Sequence, residues 1–138
     1  MISTDNDIKD LVYMLLQNSQ LKAEVTGQII KVSRNPASTN EDVVISVLAN
    51  DNPRQIQSAY VNVNIYVKDV DFQQSGEKYK VENTARTKEL SRIFADMFEN
   101  AIIGESYRLT LDRQRVIAVE GANEHCVNNR LLYQCVNE

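Results

Sequence analysis

One histidine, two cysteines and a few aspartates are the residues of this 138-residue chain whose types most readily suggest catalysis or metal binding. His125 stands beside Cys126, the two partners of a thiol nucleophile and its base, but such a pair also needs a third group to orient it. Residues 125–136 read as a strand, in which neighbours point to opposite faces, so the imidazole and thiol do not engage each other. Cys126 and Cys135 fall in that same strand. Their odd spacing puts the sulfurs on opposite faces and roughly 30 Å apart at ~3.3 Å per residue, beyond the Cα separation of about 7 Å that a disulfide tolerates. Both are expected to be plain thiols, consistent with a reducing compartment. One His and two Cys in a C-x8-C spacing also fall short of the four ligands of a structural zinc. Asp51, Asp69 and Asp71 bracket strand ends, where acids are most often solvated turn residues. Gly27, Gly76, Gly104 and Gly121 lie too far apart for a phosphate-cradling loop. The residues therefore imply no catalytic centre, no metal and no cofactor.

The elements that carry these residues are organised around residues 55–70 (QIQSAYVNVNIYVKDV), the longest period-2 alternation in the chain. Ala59, Val61, Val63, Ile65 and Val67 share one face, and Tyr60, Asn62, Asn64, Tyr66 and Lys68 the other. The pattern predicts a central strand with one side buried under helices. Its second side has too little charge for ordinary solvated surface and too little apolar area for core. It reads either as a half-wet sheet face with cross-strand pairs or as a protein interface, in which Tyr is enriched.

Ahead of this strand, Ile8, Leu11, Val12, Leu15 and Leu16 recur at helical spacing and predict a helix over 4–18, with Ser3 or Thr4 as cap and Asp5, Asp7 and Asp10 near its positive end. Leu21 and Val25 fit one more helical turn, closed by Gly27. A short strand is expected at 28–33, an exposed loop at 34–41 (RNPASTNE), and an almost continuously apolar strand at 42–49. The turn at 50–54 joins that strand to the central one as an antiparallel hairpin. A loop around Ser75-Gly76 then leads to a helix over 79–101 with the stripe Val81, Leu90, Ile93, Phe94, Met97 and Phe98, ended by Gly104. Strands at 107–119 and 125–136, joined around Gly121, close the chain as a second hairpin.

This order predicts a single α+β domain, a largely antiparallel sheet with two helices packed on one face. The composition, 43% hydrophobic and 25% charged, is that of an ordinary globular protein. A net charge of −4 argues against broad binding to nucleic-acid backbones. The N-terminus lacks the apolar segment of a secretory signal, and no apolar run approaches the ~18 residues of a spanning helix. A soluble intracellular or particle-associated protein is expected, without membrane or direct nucleic-acid contact.

The layout resembles the tail-completion, or tail-terminator, proteins of long-tailed bacteriophages and prophages. The likeness covers most of the chain from Asp7 onward. It rests on the opening amphipathic helix, Gly27 before a short QII strand, the hairpin DVVISVLANDNPRQIQSAYVNVNIYVKD and the helix ending ADMFENAIIG. The resemblance implies a non-enzymatic virion protein at the tail-head junction. Its subunits would close into a ring, expected to be hexameric, and its partners would be further copies of itself, the tail-tube protein and the head-tail connector. On that reading Tyr60, Asn62, Asn64, Tyr66, Arg34 and Arg54 are the candidate interaction residues, and the loop at 34–41 is either a binding arm or slack. The alternatives are a small-ligand-binding or regulatory domain using the Tyr/Asn face, and a small enzyme using the aspartates.

Overall fold

The computed structural model describes residues 2–51 and 55–136. These form helices α1 (Asp5–Gln17), α2 (Gln20–Glu24) and α3 (Thr84–Met97), with strands β1 (Ile29–Ile30), β2 (Val43–Asp51), β3 (Ile56–Lys68), β4 (Val70–Gln74), β5 (Glu77–Val81), β6 (Ile102–Ile103), β7 (Tyr107–Ala118) and β8 (Glu124–Val136). The fold is α+β. Its main sheet has the order β1-β2-β3-β8-β7-β6, while β4 and β5 form a separate two-stranded sheet. All pairings are antiparallel except β1 with β2.

The central strand is β3, with β2 on one side and β8 on the other. The expected antiparallel pairing of β2 with β3 is present, in register from Val43 opposite Ile65 to Asp51 opposite Ser58 with one irregularity between Val47 and Ala49; residues 52–54 of the turn expected at 50–54 lie outside the described residues. The closing β7–β8 hairpin is present too, from Tyr107 opposite Cys135 to Ala118 opposite His125. The predicted alternation of β3 appears directly as burial. Ala59, Val61, Val63, Ile65 and Val67 join one core with Ile8, Val12 and Leu16 of α1, Leu90 and Phe94 of α3, and Val127 and Leu131 of β8. An unpaired polar group among these residues would be costly, and Asn129, fully buried here, donates to the Val63 carbonyl at 3.1 Å.

Helix α1 begins as its sequence indicates. Thr4 and Asp7 form a reciprocal capping box, each side chain accepting from the other's backbone N–H at 3.1 and 2.9 Å. The extra helical turn is present as α2, but Gly27 does not close it, since Val25 is its cap. Gly27 instead permits a close approach: a Cβ there would stand 2.4 Å from Asp42 Oδ1, and its N–H donates to the Glu41 carbonyl.

Several expectations are corrected around α3. Residues 70–81 are not a loop running into a helix but the exposed hairpin β4–β5, turned at Ser75 and Gly76 with φ of 53° and 80°. Two residues with positive φ give the twist that a tight hairpin requires, and the alternating residues on either side supply its strands. Helix α3 then starts only at Thr84, where the Asn83 side chain accepts from Arg86 N–H at 3.2 Å. At its other end Phe98 is the cap, short of the expected 101, and Ile102 and Ile103 just beyond pair with β7. Gly104 does not have the left-handed conformation expected of it. Its role is steric, because a Cβ would overlap the Tyr107 ring. The strand expected at 28–33 shortens to Ile29–Ile30.

Candidate functional site

The side of β3 opposite the core carries Tyr60, Asn62, Asn64 and Tyr66, all half-buried. Across the ladder these face Leu132, Arg130, Asn128 and Cys126 of β8, and β7 continues the surface. Most of the polar groups on this face already have partners. Asn128 Nδ2 donates to Asn64 Oδ1 at 2.6 Å. The Arg130 guanidinium lies 4.6 Å from the centre of the Tyr60 ring, and the same group reaches Asp112 at 2.7 Å. Such pairs fix side-chain positions along a strand.

Arg34 departs from the expectation of an exposed loop. Its guanidinium turns onto the sheet, with Nε donating to Asp42 Oδ2 and Nη1 to Glu124 Oε1, both at 2.9 Å. Its Nη2 donates to the Asn40 carbonyl at 2.8 Å. The side chains of Arg34, Asp42 and Glu124 are 12, 6 and 10% exposed. Burial works against the charge on Arg34, but hydrogen bonds to Glu124 and Asp42 prevail and raise its pKa. For Asp42 burial also opposes ionisation, yet hydrogen bonds from Ser38, Arg34 and the Gln28 backbone hold its carboxyl below the ordinary value. The loop at 34–41 is thus tied down at its root, with Asn35, Pro36 and Ala37 left exposed at its tip.

Beneath this clamp lie Tyr66 and Cys126. The Tyr66 hydroxyl is raised, first by burial and then by the neighbouring Cys126. Burial pushes the Cys126 thiol up to about 12, with the Glu124 charge adding to the effect. Cys126 is therefore a protonated, inert thiol. Neither cysteine is in a disulfide. Cys135 lies in the core beside Gln57, its Sγ 3.5 Å from Gln57 Oε1.

His125 turns toward Asp69, with Nδ1 2.6 Å from Asp69 Oδ1, and its Nε2 lies 4.0 Å from Glu82 Oε1. Asp69 immediately precedes β4 and Glu82 immediately follows β5, so the imidazole sits at the base of the exposed hairpin. Asp71, at the hairpin's outer face, pairs with Lys78 and Lys80. Of the aspartates named from the sequence, Asp69 and Asp71 thus have different partners, and Asp51 lies at the end of β2, paired in the ladder with Ser58. Among the described residues no group of three or more His, Cys, Asp or Glu is arranged to hold a metal.

Sequence reasoning missed the basic side of this surface. Arg108, Arg113 and Arg115 of β7 are exposed and stand opposite Gln134, Arg130 and Asn128. The alternation Arg113-Gln114-Arg115 was the available signal, since Gln114 points inward and donates to Asn129 Oδ1 at 2.8 Å. Tyr60, Asn62, Asn64 and Tyr66 are brought together, Arg34 covers one end of them, and Arg54 lies outside the described residues. No helix among the described residues is long and apolar enough to cross a membrane. No model of a known protein family and no curated protein sequence matches the chain.

Proposed function

We propose that the chain is a non-enzymatic structural subunit of a long-tailed phage or prophage particle, acting as its tail-completion protein. In this reading α1 and α3 cover one face of the sheet, and the other face, running from β3 through β8 to β7, is left for partners. Copies close into a ring, expected to be hexameric, that ends the tail tube and docks it to the head connector at the tail-head junction, after assembly in the bacterial cytoplasm.

The observation that carries the proposal is the polar, aromatic second face, where Tyr60, Asn64 and Tyr66 are held in place by Arg130, Asn128 and Arg34 and the exposed Arg108, Arg113 and Arg115 extend it. A rigid Tyr- and Arg-rich surface has the composition of a binding patch. The test is polymerisation of a long-tailed phage tail-tube protein from the same genome as this chain. Adding the chain should yield shorter tubes bearing it at one end. Tubes of unchanged length that retain none of it after sedimentation would reject the proposal.

A further inference from the structure

Beyond β8 the main sheet ends in β7 and the two-residue β6. β6 pairs only with Leu109 and Arg108. After the register shift between Leu111 and Arg113, residues 113–118 run unbroken against β8, from Arg113 opposite Arg130 to Ala118 opposite His125. Nothing among the described residues pairs with them from the other side. Arg113, Arg115, Val116, Ile117 and Ala118 are all exposed. Such an edge offers a row of backbone donors and acceptors to another extended chain.

The side chains of this edge are unbalanced in charge. Arg113 and Arg115 stand on the outer face, and neither pairs with a carboxylate among the described residues. Arg113 faces Arg130 across the ladder, a like-charge pairing that costs stability unless an anion stands by. Asp112 is the only carboxylate of β7, and it bonds Arg130, at 2.7 and 2.8 Å. On the core side Val116 pairs with Val127 and is 37% exposed. The edge is therefore basic on one face and apolar on the other.

We propose that this edge receives an acidic extended segment of a partner protein, added to the sheet as a further strand. The segment's backbone pairs with residues 113–118. Its outward side chains, two residues apart like Arg113 and Arg115, are carboxylates, and those between them are apolar and meet Val116. The inference rests on the reading above that this face serves partners. The same edge of a second copy fits poorly, because it brings arginines together. Single-stranded nucleic acid fits poorly too, since it has no backbone amides to continue the ladder. The Tyr60 and Tyr66 rings on which its bases would stack are already covered by Arg130 and Arg34, at 4.6 and 4.3 Å.

The test is fluorescence anisotropy of a labelled, end-blocked peptide of alternating Glu and Val, long enough to span residues 113–118, titrated with the whole chain. The peptide should bind saturably and slow amide hydrogen exchange within residues 113–118. The same peptide N-methylated at every residue keeps its charges but has no backbone donors, and it should not bind. Arg113→Glu combined with Arg115→Glu should weaken binding about tenfold or more. Circular dichroism checks that this variant folds, and Arg113→Gln with Arg115→Gln replaces it if it does not. Absence of peptide binding up to millimolar concentration overturns the proposal. So do equal binding of the N-methylated peptide, undiminished binding by the arginine variants, or tighter binding of a single-stranded oligothymidylate of equal charge. A chain that binds no acidic strand yet still caps tail tubes rejects this inference alone, and one that binds the strand but leaves tubes uncapped rejects the proposed function alone.

Discussion

The guanidinium of Arg34 lies 4.3 Å from the centre of the Tyr66 ring, and from that position it also reaches one carboxylate on each side, Asp42 and Glu124. One residue from a loop thereby joins the start of β2 to the start of β8 and closes the sheet's second face at that end. Loss of the cation should cost more than loss of a surface ion pair, because two carboxylates would remain nearly buried without a counter-charge.

Arg34→Ala is accordingly expected to destabilise the chain by about 3 kcal/mol, measured as a lower urea midpoint at unchanged slope. Arg34→Lys should recover little of this, since an ammonium cannot reproduce the planar fork and the ring stacking. A midpoint equal to wild type in the alanine variant would show that the loop is slack after all.

The same cluster sets an acid limit. The folded-state pKa of Asp42 lies below its ordinary value of 3.8, so near that pH the unfolded chain binds more protons than the folded one. The stabilisation is fully present above 3.8 and is lost as pH falls through the depressed folded value. Urea midpoints of wild type should thus fall more steeply below pH 4 than those of Asp42→Asn, which should already be weaker at pH 7. Parallel pH profiles would assign acid unfolding to other carboxylates.

Thiol labelling gives a third check. Cys126 and Cys135 are 2 and 5% exposed, and the Cys126 pKa is raised from 9.0 to about 12 by burial first and the Glu124 charge second. A disulfide reagent at pH 8 should modify neither thiol in the native chain and both in denaturant. The shift also favours the folded state fully below pH 9, a contribution lost as pH rises through 12. Rapid labelling of one thiol without denaturant would contradict the packing around it.

The parts of the fold legible in the sequence were those with a sustained period. Val61, Val63 and Ile65 announced β3, and Ile8, Val12 and Leu16 announced α1, because each pattern repeats long enough to exclude the other geometry. The β4–β5 hairpin was missed because each strand has only five residues and its turn, Ser75-Gly76, also resembles an ordinary loop. Val81 fitted the spacing of the following helix by coincidence, and only the Asn83 cap marks the true start. Of the candidate site, alternation placed Tyr60, Asn62, Asn64 and Tyr66 on one face. It could not show that Arg34 folds over Tyr66, because that contact joins residues whose proximity depends on the whole sheet.

That contact changes the outcome expected for carboxylate substitutions along β3. Val63 is fully buried in the core, so Val63→Asp should leave the chain insoluble or molten, a loss of about 4 kcal/mol or more. Asn62, the adjacent residue on the opposite face, is half-exposed beside Ser46 and Arg130. Asn62→Asp should fold normally, with stability within about 0.5 kcal/mol of wild type. Judged by alternation alone, Tyr66 would behave like Asn62. Its ring, however, packs against Arg34, and Tyr66→Asp would remove that stack and add a third carboxylate to the two already sharing one cation. The urea midpoints should therefore fall in the order Asn62→Asp, Tyr66→Asp, Val63→Asp, with the Tyr66 variant clearly separated from the first. If Tyr66→Asp instead matched Asn62→Asp, the Arg34 clamp would contribute nothing to the fold, and Tyr66 would regain its place among residues free to serve only a partner.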